Sequence, residues 1–326
     1  MIKVGYIISL FRIPHKIIER NNQMSEYILE TKNLVKNFGN FTAIDNVDLR
    51  ILKGKVYGFI GKNGAGKTTL IRMITGLAFP TSGEISIFGN KGEKNLQNSR
   101  KKIGALVEGP TLYPFMTAKE NLRSQQIQKG INDENEIEEI LKLVNLENTG
   151  KKRTRNFSLG MKQRLGIGLS LVGNPDLLIW DEPINGLDPE GIKQIRELIN
   201  HLNKDLNKTI LISSHILEEL ENTVTDFILI DNGKIIETIT KKELSKHKTE
   251  YIYIKTSDNE KTINIFKRKF PNIEINKENE FVCIRNFNDN IDLLSSLLAD
   301  NKIQIREMKK ERESLEDYVF EKIGRM

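Results

Sequence analysis

The sequence predicts an α/β fold built on a parallel sheet, with a helical insert and a small α+β domain at its C-terminal end. Three observations predict it. From Tyr27 to about Thr240, strand-like and helix-like blocks alternate. Leu177–Trp180 and Thr209–Ser213 are unbroken apolar or β-branched runs, the pattern of strands buried on both faces. After about Lys241 the composition shifts to Lys, Asn, Ile and Glu, in a strand, helix, strand, helix, strand order.

Taken in order, Tyr27–Leu34 and Ala43–Ile51 alternate apolar and polar residues as half-buried strands do, and Lys55–Ile60 reads as a short buried strand. A glycine-rich turn and a helix over Lys67–Leu77 follow. Residues from about Lys94 to Asn156 are mostly helical in pattern, with Asp133–Asn145 placing apolar residues at helical spacing between acidic ones. Helices over Met161–Val172 and Gly191–Asn203 flank the buried strands. Phe227–Ile230 and Lys234–Ile239 are separated by Asp231-Asn232-Gly233, a strong hairpin turn. In the tail, Glu250–Lys255, Phe281–Arg285 and Lys302–Met308 read as strands, and Glu260–Phe270 and Asn290–Ala299 as helices.

The expected division is an N-terminal extension over 1–24, a core domain over 25–240 with a helical subdomain at about 94–156, and an accessory α+β domain over 241–326. Within the extension, the apolar stretch Val4–Ile13 is interrupted by Arg12, followed by Pro14, and lacks a small-residue cleavage site, so it makes a poor signal peptide. A dispensable extension, a start misplaced upstream of Met24 and a membrane-surface helix all fit it.

Composition narrows the class. Hydrophobic residues at 38% and charged residues at 29% are ordinary for a globular protein. The single cysteine, Cys283, excludes an intrachain disulfide and suits a reducing compartment. No apolar run approaches the roughly 18 to 20 residues that cross a bilayer, so any membrane role needs a spanning partner. Net charge is +6, yet acidic and basic residues are mixed along the whole chain, so nucleic acid is not an expected partner.

Gly61-Lys62-Asn63-Gly64-Ala65-Gly66-Lys67-Thr68, with Thr69 following, carries every fixed position of a phosphate-binding loop, and it stands between a buried strand and a helix. Its glycines let successive backbone N–H groups close around β- and γ-phosphates, the helix adds its positive end, and the Lys67 ammonium neutralises charge. Thr68 supplies a hydroxyl for magnesium. Farther on, the apolar run Leu177–Trp180 ends in Asp181 and Glu182. Neighbours on a strand point to opposite sides, so the two carboxylates divide the work: Asp181 holds magnesium through water, and Glu182 polarises the attacking water as general base.

With these motifs the chain resembles the nucleotide-binding subunit of ATP-binding-cassette (ABC) transporters over residues 28 to about 240, which makes the expected fold a P-loop NTPase cassette. The resemblance implies ATP and Mg2+ as ligands, and it places Phe38 where the family stacks an aromatic on adenine, a core aromatic being the other reading. Phe157-Ser158-Leu159-Gly160-Met161-Lys162-Gln163-Arg164 stands at the family signature, departing from its usual form at Phe157, Leu159 and Met161. Ser158 and Gly160 would bind the γ-phosphate held by the opposite subunit. Asn185-Gly186-Leu187-Asp188 resembles the loop joining the two sites, and His215 the switch histidine that positions the attacking water.

Glu108 stands where most members place glutamine, and a carboxylate there keeps metal binding while losing the amide's donor. Glu108, the Leu112-Tyr113-Pro114 that follows, the signature Ser158-Leu159-Gly160-Met161 and the tail Ser314–Phe320 are similar to the branch exporting, or conferring immunity to, peptide antibiotics such as bacitracin and lantibiotics. What the family implies is a homodimer, or pairing with a second ABC subunit, docked through the helical insert on polytopic permease subunits at the cytoplasmic face of the membrane. The alternative is a soluble ABC-type ATPase acting on ribosomes or DNA.

Overall fold

The computed structural model describes residues 26–214, 221–247, 250–285, 287 and 291–324. Its centre is a six-stranded sheet in the order β10-β9-β3-β8-β7-β6. These strands are β3 (Val56–Ile60), β6 (Ile103–Leu106), β7 (Leu177–Asp181), β8 (Thr209–Ser214), β9 (Asp226–Asp231) and β10 (Lys234–Thr240). All neighbours run parallel except β10, which returns antiparallel to β9. Asn232 and Gly233 both have positive φ in that return, as a two-residue hairpin of the right twist requires.

The unbroken apolar runs are explained by a core on each side of this sheet. Leu178, Trp180, Ile210 and Ile212 point into one apolar cluster, and Leu177, Ile179 and Leu211 into the other. With both faces covered, the period-two alternation of a half-exposed strand disappears. One face packs against helix α1 (Lys67–Thr75) and an antiparallel sheet of β1 (Tyr27–Phe38), β2 (Phe41–Leu52), β4 (Ser82–Ile87) and β5 (Asn90–Lys91). Helix α1 stops at Thr75, two residues short of the Leu77 expected, because Gly76 turns left-handed at φ 84° and Leu77 N–H bonds back to Arg72 O.

The helical insert begins later than its sequence pattern implies. After α2 (Glu93–Arg100), Ile103–Leu106 pairs with Leu177–Trp180 as the edge strand of the central sheet. The insert follows as α3 (Ala118–Lys129), opened by a Thr117/Glu120 capping box, and α4 (Glu134–Leu143), opened by Asp133. Leu122, Ile137, Ile140 and Val144 carry its apolar side into the cluster that also holds α5 (Leu159–Leu171) and α6 (Pro189–Lys204).

Beyond β10, α7 (Lys241–His247) leads to a βαββαβ unit: β11 (Glu250–Thr256), α8 (Asn259–Lys269), β12 (Ile275–Glu278), β13 (Phe281–Arg285), α9 (Ile291–Asp300) and β14 (Ile305–Arg312). Its antiparallel sheet runs β12-β13-β11-β14, and Ile252, Ile254, Val282 and Ile284 close a separate apolar cluster with Phe266, Leu294 and Leu298 of its two helices. The strand expected at Lys302–Met308 starts three residues later and ends four later, at Arg312, and β12 adds a strand with no counterpart in the sequence reading. The last helix, α10 (Leu315–Ile323), leaves this unit: Leu315, Tyr318, Val319 and Ile323 are buried in the cluster of the central sheet.

Candidate nucleotide site

The phosphate loop lies at the C-terminal end of β3, where the strand passes into α1. Gly64 and Gly66 take φ of 81° and 108°, a region that side chains with a Cβ avoid, and a Cβ on Gly66 would lie 2.8 Å from Ala43 O. Gly61 is bounded by Ile230, whose carbonyl would lie 2.3 Å from an added Cβ. Gly66 caps α1 without a side-chain acceptor, and the first turn holds no acidic residue. No carboxylate of the helix's own first turn therefore competes for its amide groups, which favours anion binding at a helix start.

Lys67 is buried, and its ammonium donates to the carbonyls of Gly61 at 2.6 Å and Lys62 at 3.2 Å. Burial lowers its pKa from the ordinary lysine value, while Glu182 and Asp181 pull it back up. A charge held against two carbonyls of the loop is poised to move to a stronger anion.

Thr68 donates its hydroxyl to Asp181 Oδ2 at 2.9 Å, and Ser213 donates to Asp181 Oδ1 at 2.5 Å. Asp181 is almost fully buried, and each of its carboxylate oxygens accepts from a hydroxyl. Ser213 also accepts from the Glu182 backbone N–H at 2.9 Å, and its carbonyl accepts from the same group at 3.2 Å. Glu182 sits at φ 52°, a left-handed conformation that a glutamate adopts only when its surroundings hold it. Gln163 completes that hold, donating to the Glu182 carbonyl at 3.3 Å. The hydroxyl of Thr68 and the carboxylate of Asp181 meeting at the loop are the hard oxygen donors that magnesium takes together with phosphate oxygens. Among the described residues no three His, Cys, Asp or Glu side chains form a cation site without such oxygens.

The other expected residues divide. Phe38 is 52% exposed at the tip of the β1–β2 hairpin, with Lys36 4.9 Å from its ring centre, so it is not a core aromatic. Glu108, at φ 58°, is exposed and forms an ion pair with Arg72 at 2.5 Å. Ser158 caps α5 by accepting from Met161 N–H at 3.2 Å, and Asp188 caps α6 by accepting from Gly191 N–H at 3.1 Å. Ser158, Gly160 and Asp188 line one open groove of about 400 Å³. The departure at Leu159 has a local reason there: its Cδ2 would lie 2.5 Å from a Cβ on Gly186, so the leucine covers the glycine of the connecting loop. His215 lies outside the described residues. Ser213 and Arg72, which fix Asp181, Glu182 and Glu108, were not singled out by the sequence. A serine ending an otherwise apolar buried strand is the signal that could have found Ser213.

The geometry agrees with the comparisons. The description of the ABC transporter family matches residues 44–185. The chain is 41% identical over 299 residues to the bacitracin transport ATP-binding protein BcrA of Bacillus licheniformis, a match covering 91% of this chain and 97% of that protein. This chain belongs to the ABC transporter ATP-binding proteins. It is also 46% identical over 210 residues to the lantibiotic transport ATP-binding protein SrtF of Streptococcus pyogenes, covering 64% of the chain and 89% of that protein. Among solved structures, the dimeric post-hydrolysis ATP-binding cassette MJ0796 bound to ADP and Pi aligns with a TM-score of 0.61 at 27% identity, over 65% of this chain and 98% of its own. An ABC cassette binds and hydrolyses ATP to drive transport, so the P-loop NTPase fold and the ATPase activity follow from family membership. Among the described residues no helix is long and apolar enough to cross a membrane.

Proposed function

We propose that this ABC protein is the ATP-hydrolysing subunit of a transporter that exports, or confers resistance to, a peptide antibiotic. The observation that carries the catalytic reading is the group Thr68–Asp181–Ser213–Glu182, in which one serine fixes both strand-end acids beside the phosphate loop. The substrate class comes from the relatives, whose names assign bacitracin, lantibiotic and linearmycin to them.

In this reading the loop from Gly61 to Thr69 wraps the phosphates, Lys67 leaves its carbonyl partners for them, and the adenine stacks on Phe38. Thr68 and Asp181 hold magnesium, which when bound neutralises phosphate charge. Glu182 takes a proton from water as the water oxygen bonds to the γ-phosphorus. The bond to the bridging oxygen breaks, and ADP and inorganic phosphate leave. Ser158 and Gly160 complete the site of a second subunit, either another copy or a different ABC chain, because one chain carries one loop and one signature. Exposed Tyr113 and Phe115, beside Glu108 and Pro114, supply the apolar face for a membrane permease, which holds the chain at the cytoplasmic side.

The test is hydrolysis against protein concentration. A two-site dimer gives a specific rate that rises with concentration until the pair saturates. Mixing Lys67→Ala chains with Ser158→Ala chains assembles one intact composite site and restores part of the rate. A specific rate independent of concentration refutes the shared site.

A further inference from the structure

Among the described residues, helix α10 returns to the cassette's own apolar cluster after the βαββαβ unit, joining Leu244 of α7 there, while the unit between them closes its own cluster. It is a deliberate helix. Ser314 and Asp317 form a capping box, and Leu315, Tyr318, Val319 and Ile323 fall on one buried side at spacings of three, four and eight. Burying that side holds it on the cassette, 74 residues after the β9–β10 hairpin has closed at Thr240 (314 less 240).

Two contacts carry α10 to the phosphate loop. Tyr318 Oη donates to Glu237 Oε2 at 3.0 Å, and Lys322 Nζ lies 3.8 Å from the same oxygen. Glu237 is on β10 just past a bulge: Ile235 pairs with Ile230 and Glu237 with Leu229, so Ile236 is the extra residue. The other end of β10 is the turn whose Gly233 N–H donates to Ala65 O of the phosphate loop at 2.9 Å, and whose Gly233 O accepts from Asp45 N–H at 2.9 Å. The helix end provides the second contact. A Cβ on Gly324 would lie 3.3 Å from Lys62 Nζ, so the lysine of the loop lies at the negative, carbonyl end of α10.

We propose that α10 is a brace on the phosphate loop, its docking and nucleotide binding reinforcing each other through the Glu237 hairpin and Lys62. Tyr318, Glu237 and Lys322 are positioning residues: they act through Gly233 and Ala65 and touch no nucleotide. The proposal rests on the assignment of Gly61–Thr69 as the nucleotide loop. Linkage makes it reciprocal, because whatever tightens the loop when nucleotide binds must tighten α10 by the same free energy.

The experiment is amide hydrogen exchange on the full chain with and without magnesium and ADP, which avoids turnover. Exchange in 315–323 slows on the order of 5-fold together with that of 61–69. Protection of 61–69 with no change in 315–323 overturns the brace and leaves the nucleotide reading standing; no protection of either overturns both. Tyr318→Phe and Glu237→Gln, which keep the packing of α10, each weaken MgADP binding about 5-fold, and the double variant is no weaker than either single one. A helix that is only structural leaves MgADP affinity unchanged in all three variants.

Discussion

Ser213 donates its hydroxyl to Asp181 across 2.5 Å while accepting from the backbone N–H of Glu182 at 2.9 Å. One oxygen thus sets the orientation of the proposed magnesium-side acid and the backbone of the proposed base. Because Asp181 is buried, loss of the donor strands a carboxylate oxygen away from water, at a cost of about 1–3 kcal/mol. Ser213→Ala is expected to lower kcat about 10-fold while nucleotide affinity changes less. Steady-state hydrolysis beside equilibrium nucleotide binding checks it, and an unaltered kcat refutes the role.

Glu182 reaches its position at the expense of a left-handed backbone held by Ser213 and Gln163. An amide of the same shape keeps those backbone bonds and cannot take the proton. Glu182→Gln should therefore bind MgATP as the wild type does, lose at least about 10²-fold in kcat, and accumulate as a nucleotide-bound dimer on size-exclusion chromatography. Turnover at the wild-type rate would remove Glu182 from the chemistry.

What the sequence disclosed and what it hid follow from the range of the interactions. The strands β3, β7 and β8 were legible to within a residue because burial on both faces writes itself as a continuous apolar run. The loop at Gly61–Thr69 was legible because backbone close to phosphate admits few residue types. Ile103–Leu106 was hidden inside the helical stretch: four residues, Ile-Gly-Ala-Leu, are too short for either period to register. The return of α10 to the cassette and the pairing of Arg72 with Glu108, 36 residues apart, exist only once the chain has folded.

Lys67 buries an ammonium whose partners are two carbonyls, and desolvation lowers its pKa below the unfolded value. The sign follows from proton counting. Between the folded and unfolded pKa the unfolded chain holds more protons, so the cost is complete below the folded pKa and is relieved as pH rises toward 10.5. Lys67→Ala is expected to abolish the rise in melting temperature on adding MgATP, yet to be no less stable than the wild type without nucleotide at pH 7. In urea titrations any advantage of the variant should shrink as pH approaches 10.5. A variant that is strongly destabilised without nucleotide would mean that Lys67 is structural cement and not a strained binding group.

Glu108 and Arg72 form an ion pair at 2.5 Å, but side-chain exposures of 52% and 42% leave it screened by water, so its stability contribution is about 0–1 kcal/mol. The interest of the pair is mechanical. Arg72 is in the last turn of the helix that starts at the phosphate loop, and Glu108 follows the edge strand leading toward exposed Tyr113 and Phe115. The pair therefore links the nucleotide side of α1 to the proposed permease face. Glu108→Gln keeps an oxygen for Arg72 and for magnesium while removing the charge. It should retain hydrolysis and shift the melting temperature by no more than a few degrees, yet lower antibiotic resistance in cells carrying it. Arg72→Gln should lower resistance likewise, and the double variant no further, if the two act as one link. Full resistance in both single variants, with hydrolysis intact, would free the pair of any part in coupling.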